Sequence, residues 1–282
     1  MPESYLSIYA KSFNWAGFFL PRKTYKKCSD LYDFCRVIDN IADDEGELEI
    51  KKLKFLEFKK SFFNKDLSSE KIKNMWELVN EFSISVKIIE DLFDGVEGDL
   101  KYKVQFNSKK ELLIYSYKVA GTVGLMMAKI LKVNSKDALL AAIELGVAMQ
   151  LTNIARDVVE DRNKNRKYIE HDFQKIRQTL KVADEYYISA FKAIKAIPAN
   201  SRFAILVARR VYREIGHKIL RKKNLEDYNN SGKIYVTKIG KIKQTIFSIF
   251  DFVHLLFVKS ERHSNIIENS EIKSEINLNE RI

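Results

Sequence analysis

Helix breakers are scarce in this chain: its 282 residues include only 10 glycines and 3 prolines. An all-β protein needs many turns, and turns draw on these residues. The chain is therefore expected to be all-α. Hydrophobic residues make up 46% and aromatics 12%, which supports a large core and excludes a disordered chain. Apolar residues recur at helical spacing over 24–44, 70–93, 109–132, 136–162, 174–196 and 199–223. The 47–63 stretch is Lys- and Phe-rich, with Leu53, Leu56 and Phe63 as its expected core positions. The run from Asp94 to Asp99 is expected to break the 70–93 helix, the acidic Asp91–Asp99 region to be a solvated helix end in preference to a third metal site, and Gly121 and Gly124 to interrupt the 109–132 helix. Residues 233–258 complete the ordered part. Residues 1–258 thus read as one helical domain, and the polar residues 259–282 as a disordered tail.

Several function classes drop out early. Cys28 and Cys35 are too few for a disulfide framework, and with four histidines they make no zinc spacing, so free thiols are expected. Met1 to Lys11 lacks the basic-then-apolar pattern of a signal peptide. No run of about 18 uncharged apolar residues is present. A cytoplasmic protein is the expectation. The net charge of +11 suits nucleic acid, a membrane surface or anionic small molecules. The helices carry no recognisable nucleic-acid module, so nucleic acid is not expected as a partner.

Two acidic segments carry the chemistry. Asp39 and Asp43 are four apart on an expected helix and share one face. Asn153, Asp157 and Asp161 repeat that spacing, with Glu160 beside them. Like charges so placed repel, and each segment follows apolar helix, where a carboxylate is costly unless paired or metal-bound. A hard divalent cation that prefers oxygen would relieve both, leaving positions open for phosphate oxygens. Such a site could ionise a diphosphate leaving group. Gly121 and Gly124 either leave room for long apolar substrate tails or allow close helix packing. The lysines at 233, 238, 241 and 243, followed by apolar Ile246–Val258, could dock residues 233–258 on anionic lipid; the alternative is a terminal helix packed on the core.

Several longer motifs occur in order from about residue 4 to 245. They are Lys11-Ser-Phe13, Leu20-Pro21, Leu31-Tyr32-Asp-Phe34-Cys35-Arg36-Val-Ile-Asp39, Tyr115-Ser-Tyr117-Lys-Val-Ala120-Gly121-Thr-Val-Gly124, Gln150-Leu-Thr-Asn153-Ile-Ala-Arg156-Asp157 with Glu160-Asp161, and Ala208-Arg-Arg-Val-Tyr212-Arg. In these the chain resembles the squalene/phytoene synthase family, most of all its bacterial phytoene synthases. The resemblance implies an isoprenoid synthase fold around a central apolar cavity. It implies that Asp39, Asp43, Asn153, Asp157 and Asp161 hold Mg²⁺, or Mn²⁺ in its place. Arg36 and Arg156 would hold diphosphates. Tyr32, Tyr115, Gln150 and Tyr212 would line the reaction cavity, the tyrosines acting in catalysis, with Phe13 as a further lining aromatic. Lys233 and Arg166 would also reach substrate. The implied reaction is head-to-head condensation of two geranylgeranyl diphosphates to phytoene through a cyclopropyl diphosphate, without NADPH. The alternatives are squalene, dehydrosqualene or hydroxysqualene synthesis from farnesyl diphosphate, and a non-catalytic assembly factor, which retention of the aspartates disfavours. Three departures stand out: Asn40 where a second aspartate is usual, Ala10 where a serine is usual, and the altered segment Asn165-Arg166-Lys167-Tyr168-Ile169-Glu170. Greasy substrates and products make peripheral contact with the inner face of the cell membrane a sensible location.

Overall fold

The computed structural model describes residues 11–258 and 268–282. Helix follows helix along them: α1 (Lys11–Gly17), α2 (Arg22–Asp43), α3 (Leu48–Phe63), α4 (Glu70–Phe82), α5 (Val86–Glu97), α6 (Lys109–Ser116), α7 (Thr122–Ile130), α8 (Lys136–Arg156), α9 (Val158–Asn163), α10 (Phe173–Phe191), α11 (Ala199–Leu220), α12 (Leu225–Asn230), α13 (Lys238–Phe257) and α14 (Asn269–Lys273). A π-helical turn, Tyr117–Gly121, joins α6 to α7, with the Thr122 N–H bonded to the Tyr117 carbonyl. The short strands β1 (Val104–Gln105) and β2 (Arg166–Lys167) pair in parallel, Val104 opposite Arg166. Ala10 and residues 259–267 lie outside the described residues.

Helix α8 is the axis of the fold. Among the described residues it is the one helix long and apolar enough to cross a membrane, but 78% of that apolar window is buried inside the protein, so it is a core helix. It packs against α7, α10, α11 and the π-turn. Small residues allow this. A Cβ at Gly124 would run into the Ala142 carbonyl oxygen, and one at Gly146 into the Ala120 carbonyl oxygen. Close packing of α7 on α8 therefore accounts for Gly124, which also borders the central cavity. Gly146→Val is expected to destabilise the fold by about 3 kcal/mol, read as a lowered urea midpoint.

Three helix expectations shift. The 70–93 helix divides at Ser83, a left-handed residue (φ 50°) whose N–H caps Val79, and α5 then runs through Asp94 and Gly95 to Glu97. In α3 the buried positions are Phe55 and Phe62, while Leu53 and Leu56 are 62% and 51% exposed. Aromatic volume decides that phase: Phe62 stacks on Trp76 and joins Phe34 and Phe93 in one ring cluster. The third change lies at the C-terminus. Residues 268–282 are packed on the fold and do not form a disordered tail. Ile272, Ile276 and Leu278 are buried, and Arg281 forks onto Asp91 at 2.9 and 3.0 Å. Isoleucines scattered in a polar stretch prove to be anchors, fastened at the rim by Lys109–Glu268 (2.8 Å) and Lys110–Glu275 (2.6 Å).

Candidate active site

A central cavity of about 250 Å³ lies between α1, α2, the π-turn, α7, α8 and α11. On α2 its wall runs from Tyr25 through Cys28, Tyr32 and Cys35 to Asp39. At 1.5 Å per helical residue that is a length of about 21 Å. Alanine, valine, leucine and glycine form most of the lining, and polar groups gather at one end as Asp39, Gln150 and Asn153. Cys28 and Cys35 are free thiols on this wall, and burial pushes Cys28 up to about 12.

Two helices run into the polar end with their C-termini. Helix α2 ends at Asp43 and α8 at Arg156, so the negative ends of both dipoles meet there. The chain kinks at Asp157, yet the Asp157 N–H still bonds Asn153 O (2.9 Å) and the Asp161 N–H bonds Asp157 O (2.8 Å). That ladder keeps Asn153, Asp157 and Asp161 in line across the kink. Burial, then nearby charges, pushes the Asp39 carboxyl up to about 7 despite the pull of Arg36. Burial and Asp157 do the same to Asp161, also about 7. The other two aspartates are held by bases. Arg166 Nη1 bonds Asp43 Oδ1 at 2.5 Å, with Lys164 at 3.5 Å, and these bases hold the Asp43 carboxyl below its ordinary range against its burial. Arg156 forks onto Asp157 at 2.8 and 2.5 Å. Lys233 bridges Glu160 (2.7 Å) and Asp157 (3.6 Å), at the rim of the second cluster.

These residues fit a hard divalent cation. The donors are oxygens, Asn153 Oδ1 is buried with no hydrogen-bond partner, and burial raises two of the carboxyls, Asp39 and Asp161, even against the pull of Arg36 and Arg166. Among the described residues, however, no three Asp, Glu, His or Cys side chains converge into a metal shell on their own. The two acidic segments would hold such an ion jointly with ligand oxygens from elsewhere.

The expected aromatic lining divides. Phe13 and Tyr32 border the cavity, whereas Tyr212 is not on its lining but buried behind Phe13, with ring centroids 4.8 Å apart. Tyr115 does not line the cavity. Its hydroxyl donates to Asp99 Oδ2 (2.6 Å), Tyr168 donates to Asp99 Oδ1 (2.7 Å), and the two rings stack at 4.8 Å. Asp99 is thus no solvated helix end but the acceptor at the centre of a tyrosine pair, its carboxyl pushed up chiefly by burial. Neither Asp99 nor Tyr168 was expected from the sequence as a site residue, although both lie in segments it singles out. The signal available was Tyr168 two residues beyond Arg166, a strand-like spacing that puts both on one side. Pairing of β2 with β1 fixes this segment beside the acidic end, through Val104 N–H to Asn165 O (3.1 Å) and Phe106 N–H to Lys167 O (3.0 Å). Asp99→Ala is expected to remove the acceptor of both hydroxyls, leaving them only each other (3.0 Å), and to destabilise the fold by about 1–2 kcal/mol, with Asp99→Asn retaining part of that in thermal melts.

The sequence profile of the squalene/phytoene synthase family matches residues 7–175. The chain belongs to that family. The 15-cis-phytoene synthase of Pantoea ananas is 30% identical over 247 residues, 76% of this chain and 80% of that one. A chloroplastic phytoene synthase 2 of Solanum lycopersicum is 27% identical over 265 residues, 83% and 84% of the two chains. Among solved structures, a dehydrosqualene synthase in complex with ligand matches with a TM-score of 0.73 at 25% identity, over 89% of this chain and 95% of that one. The squalene synthase HpnC from Alicyclobacillus acidocaldarius shares the fold, with a TM-score of 0.59 over 80% of this chain and 90% of that one. The architecture of this squalene/phytoene synthase family member is therefore the isoprenoid synthase fold, and the protein is a prenyltransferase-type enzyme. Prenyl diphosphates are the family's substrates.

Proposed function

We propose that this synthase condenses two geranylgeranyl diphosphates head to head, through a cyclopropyl diphosphate, to phytoene. The observation that carries the reading is the cavity's polarity: a long apolar bore with two acidic helix C-termini at one end. Phytoene synthases related over three quarters or more of the chain support the longer substrate. Likeness to a dehydrosqualene synthase favours, as second reading, the same chemistry on farnesyl diphosphate.

Asp39, Asp43, Asn153, Asp157 and Asp161 would hold Mg²⁺ or Mn²⁺, which neutralises diphosphate charge when bound. Arg36, Arg156, Arg166 and Lys233 bind the departing diphosphates by charge-assisted hydrogen bonds. For Arg156 this means exchanging Asp157 for phosphate oxygens, and for Lys233 exchanging Glu160. The apolar walls keep water from the allylic cation. The faces of Phe13 and Tyr32, with Tyr212 behind Phe13, stabilise positive charge as it migrates. Over the sequence each prenyl group leaves its diphosphate and each loses one proton. Phytoene formation thus balances without a reductant, and NADPH is not required. The enzyme is proposed to work at the inner face of the cell membrane, with α13, the helical part of residues 233–258, on the membrane side.

The test is incubation with Mg²⁺ and each prenyl diphosphate, with and without NADPH, followed by identification of the hydrocarbon. Phytoene from geranylgeranyl diphosphate regardless of NADPH is expected. A product made only from farnesyl diphosphate, or only with NADPH, would overturn the reading.

A further inference from the structure

Helix α13 is built inside out. Its inward side is largely polar: Gln244 bonds Glu214 (3.2 Å), Asp251 receives the Arg210 fork (2.5 and 2.6 Å), and Thr245 accepts from Trp15 of α1 (3.0 Å). Its outward side carries Ile239, Ile242, Ile246, Ile249, Phe250, Val253, Leu256 and Phe257, with Ile239 81%, Phe250 66% and Phe257 82% exposed. These fall at i, i+3, i+4 and i+7, one continuous stripe about 27 Å long. A soluble helix presents the opposite arrangement, so this face is made to meet something apolar.

Two features identify the occupant. Exposed lysines Lys238 and Lys243 open the stripe, and exposed Arg22 and Lys23 lie just beyond the exposed Phe18. Cations beside an apolar stripe complement anionic headgroups over acyl chains. The second feature is the end of the cavity remote from the acids. There Gly17 and Leu20 form one wall, and Ala204 and Ile205 the facing one. Phe19, next to Leu20, meets Phe203, next to Ala204, edge-on at 5.1 Å. Phe203 in turn meets Phe252 of α13 at 6.3 Å. On both sides of this seam the aromatic residue that leads to α13 is the immediate chain neighbour of a cavity-wall residue.

We infer that α13 docks on an anionic bilayer and that the seam between Phe19 and Phe203 is the outlet through which the cavity discharges its apolar product into the acyl layer. The outlet rests on the function proposed above; the docking surface does not. Diphosphates stay at the acidic end, facing water, while the hydrocarbon leaves from the opposite end without crossing it. The seam carries aromatic side chains that touch only at their edges, a contact that rotamer changes can open.

The experiment uses the full chain with vesicles of phosphatidylcholine alone or mixed with phosphatidylglycerol. Co-sedimentation is expected with the mixed vesicles about tenfold better than with neutral ones. The triple substitution Ile246→Glu, Phe250→Glu, Val253→Glu should abolish it while leaving a single round of turnover intact. Sedimentation unchanged by those substitutions overturns the docking surface, as does a dimer that they convert to monomer with no vesicle binding in either form. For the outlet, Phe19→Cys and Phe203→Cys are bridged by a short bifunctional maleimide; Cys28 and Cys35 are buried and escape it. The bridged enzyme should complete one round and then stall with vesicles present, whereas the same variant capped by a monofunctional maleimide should cycle. Continued cycling of the bridged enzyme overturns the outlet. Absence of any hydrocarbon from either prenyl diphosphate overturns the proposed function and the outlet together, and sedimentation still reads the docking surface.

Discussion

Asp39→Asn is expected to lower turnover about a thousandfold and yet raise the melting temperature of the metal-free protein. Both effects come from one carboxyl. In the folded chain it is pushed up to about 7, well above the ordinary range of an aspartate. Between roughly pH 4 and 7 the native state therefore binds more protons than the unfolded one, so this group makes stability fall as pH rises through that window. Asparagine removes the penalty together with the metal ligand. Melting of the wild-type chain without divalent cation should decline from pH 5 to pH 7.5, and Mg²⁺ should restore it, whereas Asp39→Asn should flatten the decline. Asp161→Asn should behave likewise, since its carboxyl is raised to the same level. Wild-type turnover by Asp39→Asn at ordinary Mg²⁺ would sink the assignment of the first acidic segment.

Asp91→Ala should give the largest loss of stability, about 3–4 kcal/mol or roughly 10 °C in melting temperature. Asp91 is buried and accepts both the Arg281 fork and the Tyr117 hydroxyl (2.8 Å). Truncation to alanine strands a guanidinium and a phenol together. Hydrogen exchange should then report early opening of residues 268–282, because the salt links left to them lie at the exposed rim. Arg281→Met, which removes the charge and keeps the volume, should be milder. Equal protection of residues 268–282 in wild type and Asp91→Ala would show that the buried apolar anchors and the Asn269–Glu144 hydrogen bond (2.6 Å) hold the segment without Arg281.

The all-α architecture was legible because breakers are few and apolar periodicity is strong, and the acidic segments because carboxylates at i, i+4 in apolar helix need an explanation. What escaped notice was tertiary. Leu53 and Leu56 read as core, but Phe55 and Phe62 of the same helix, packed on Phe34 and Phe93, occupy its buried face instead. Asp99 read as solvated because its partners, Tyr115 and Tyr168, are 16 and 69 residues distant. Tyr115 matched a family motif, yet a motif gives position along the chain and not where a hydroxyl points. Composition showed that α13 is apolar; only its polar contacts to Arg210 and Glu214 reveal which side is turned outward. The tail was misjudged because three apolar anchors in a polar stretch fall below what periodicity can detect.

The π-turn at Tyr117–Gly121 has a consequence for how this gene can be edited. A π-turn holds one residue more than the α-turn it replaces, so everything downstream is rotated by about 100° relative to α6. That phase offset is what brings Gly124 around to face α8. Deleting one residue within 117–121 would restore a regular helix and leave Gly124 against Ala142, because the residue removed is the one the π-turn carries in excess. The turn is thus the place where this wall can lose a residue without turning Gly124 away from α8.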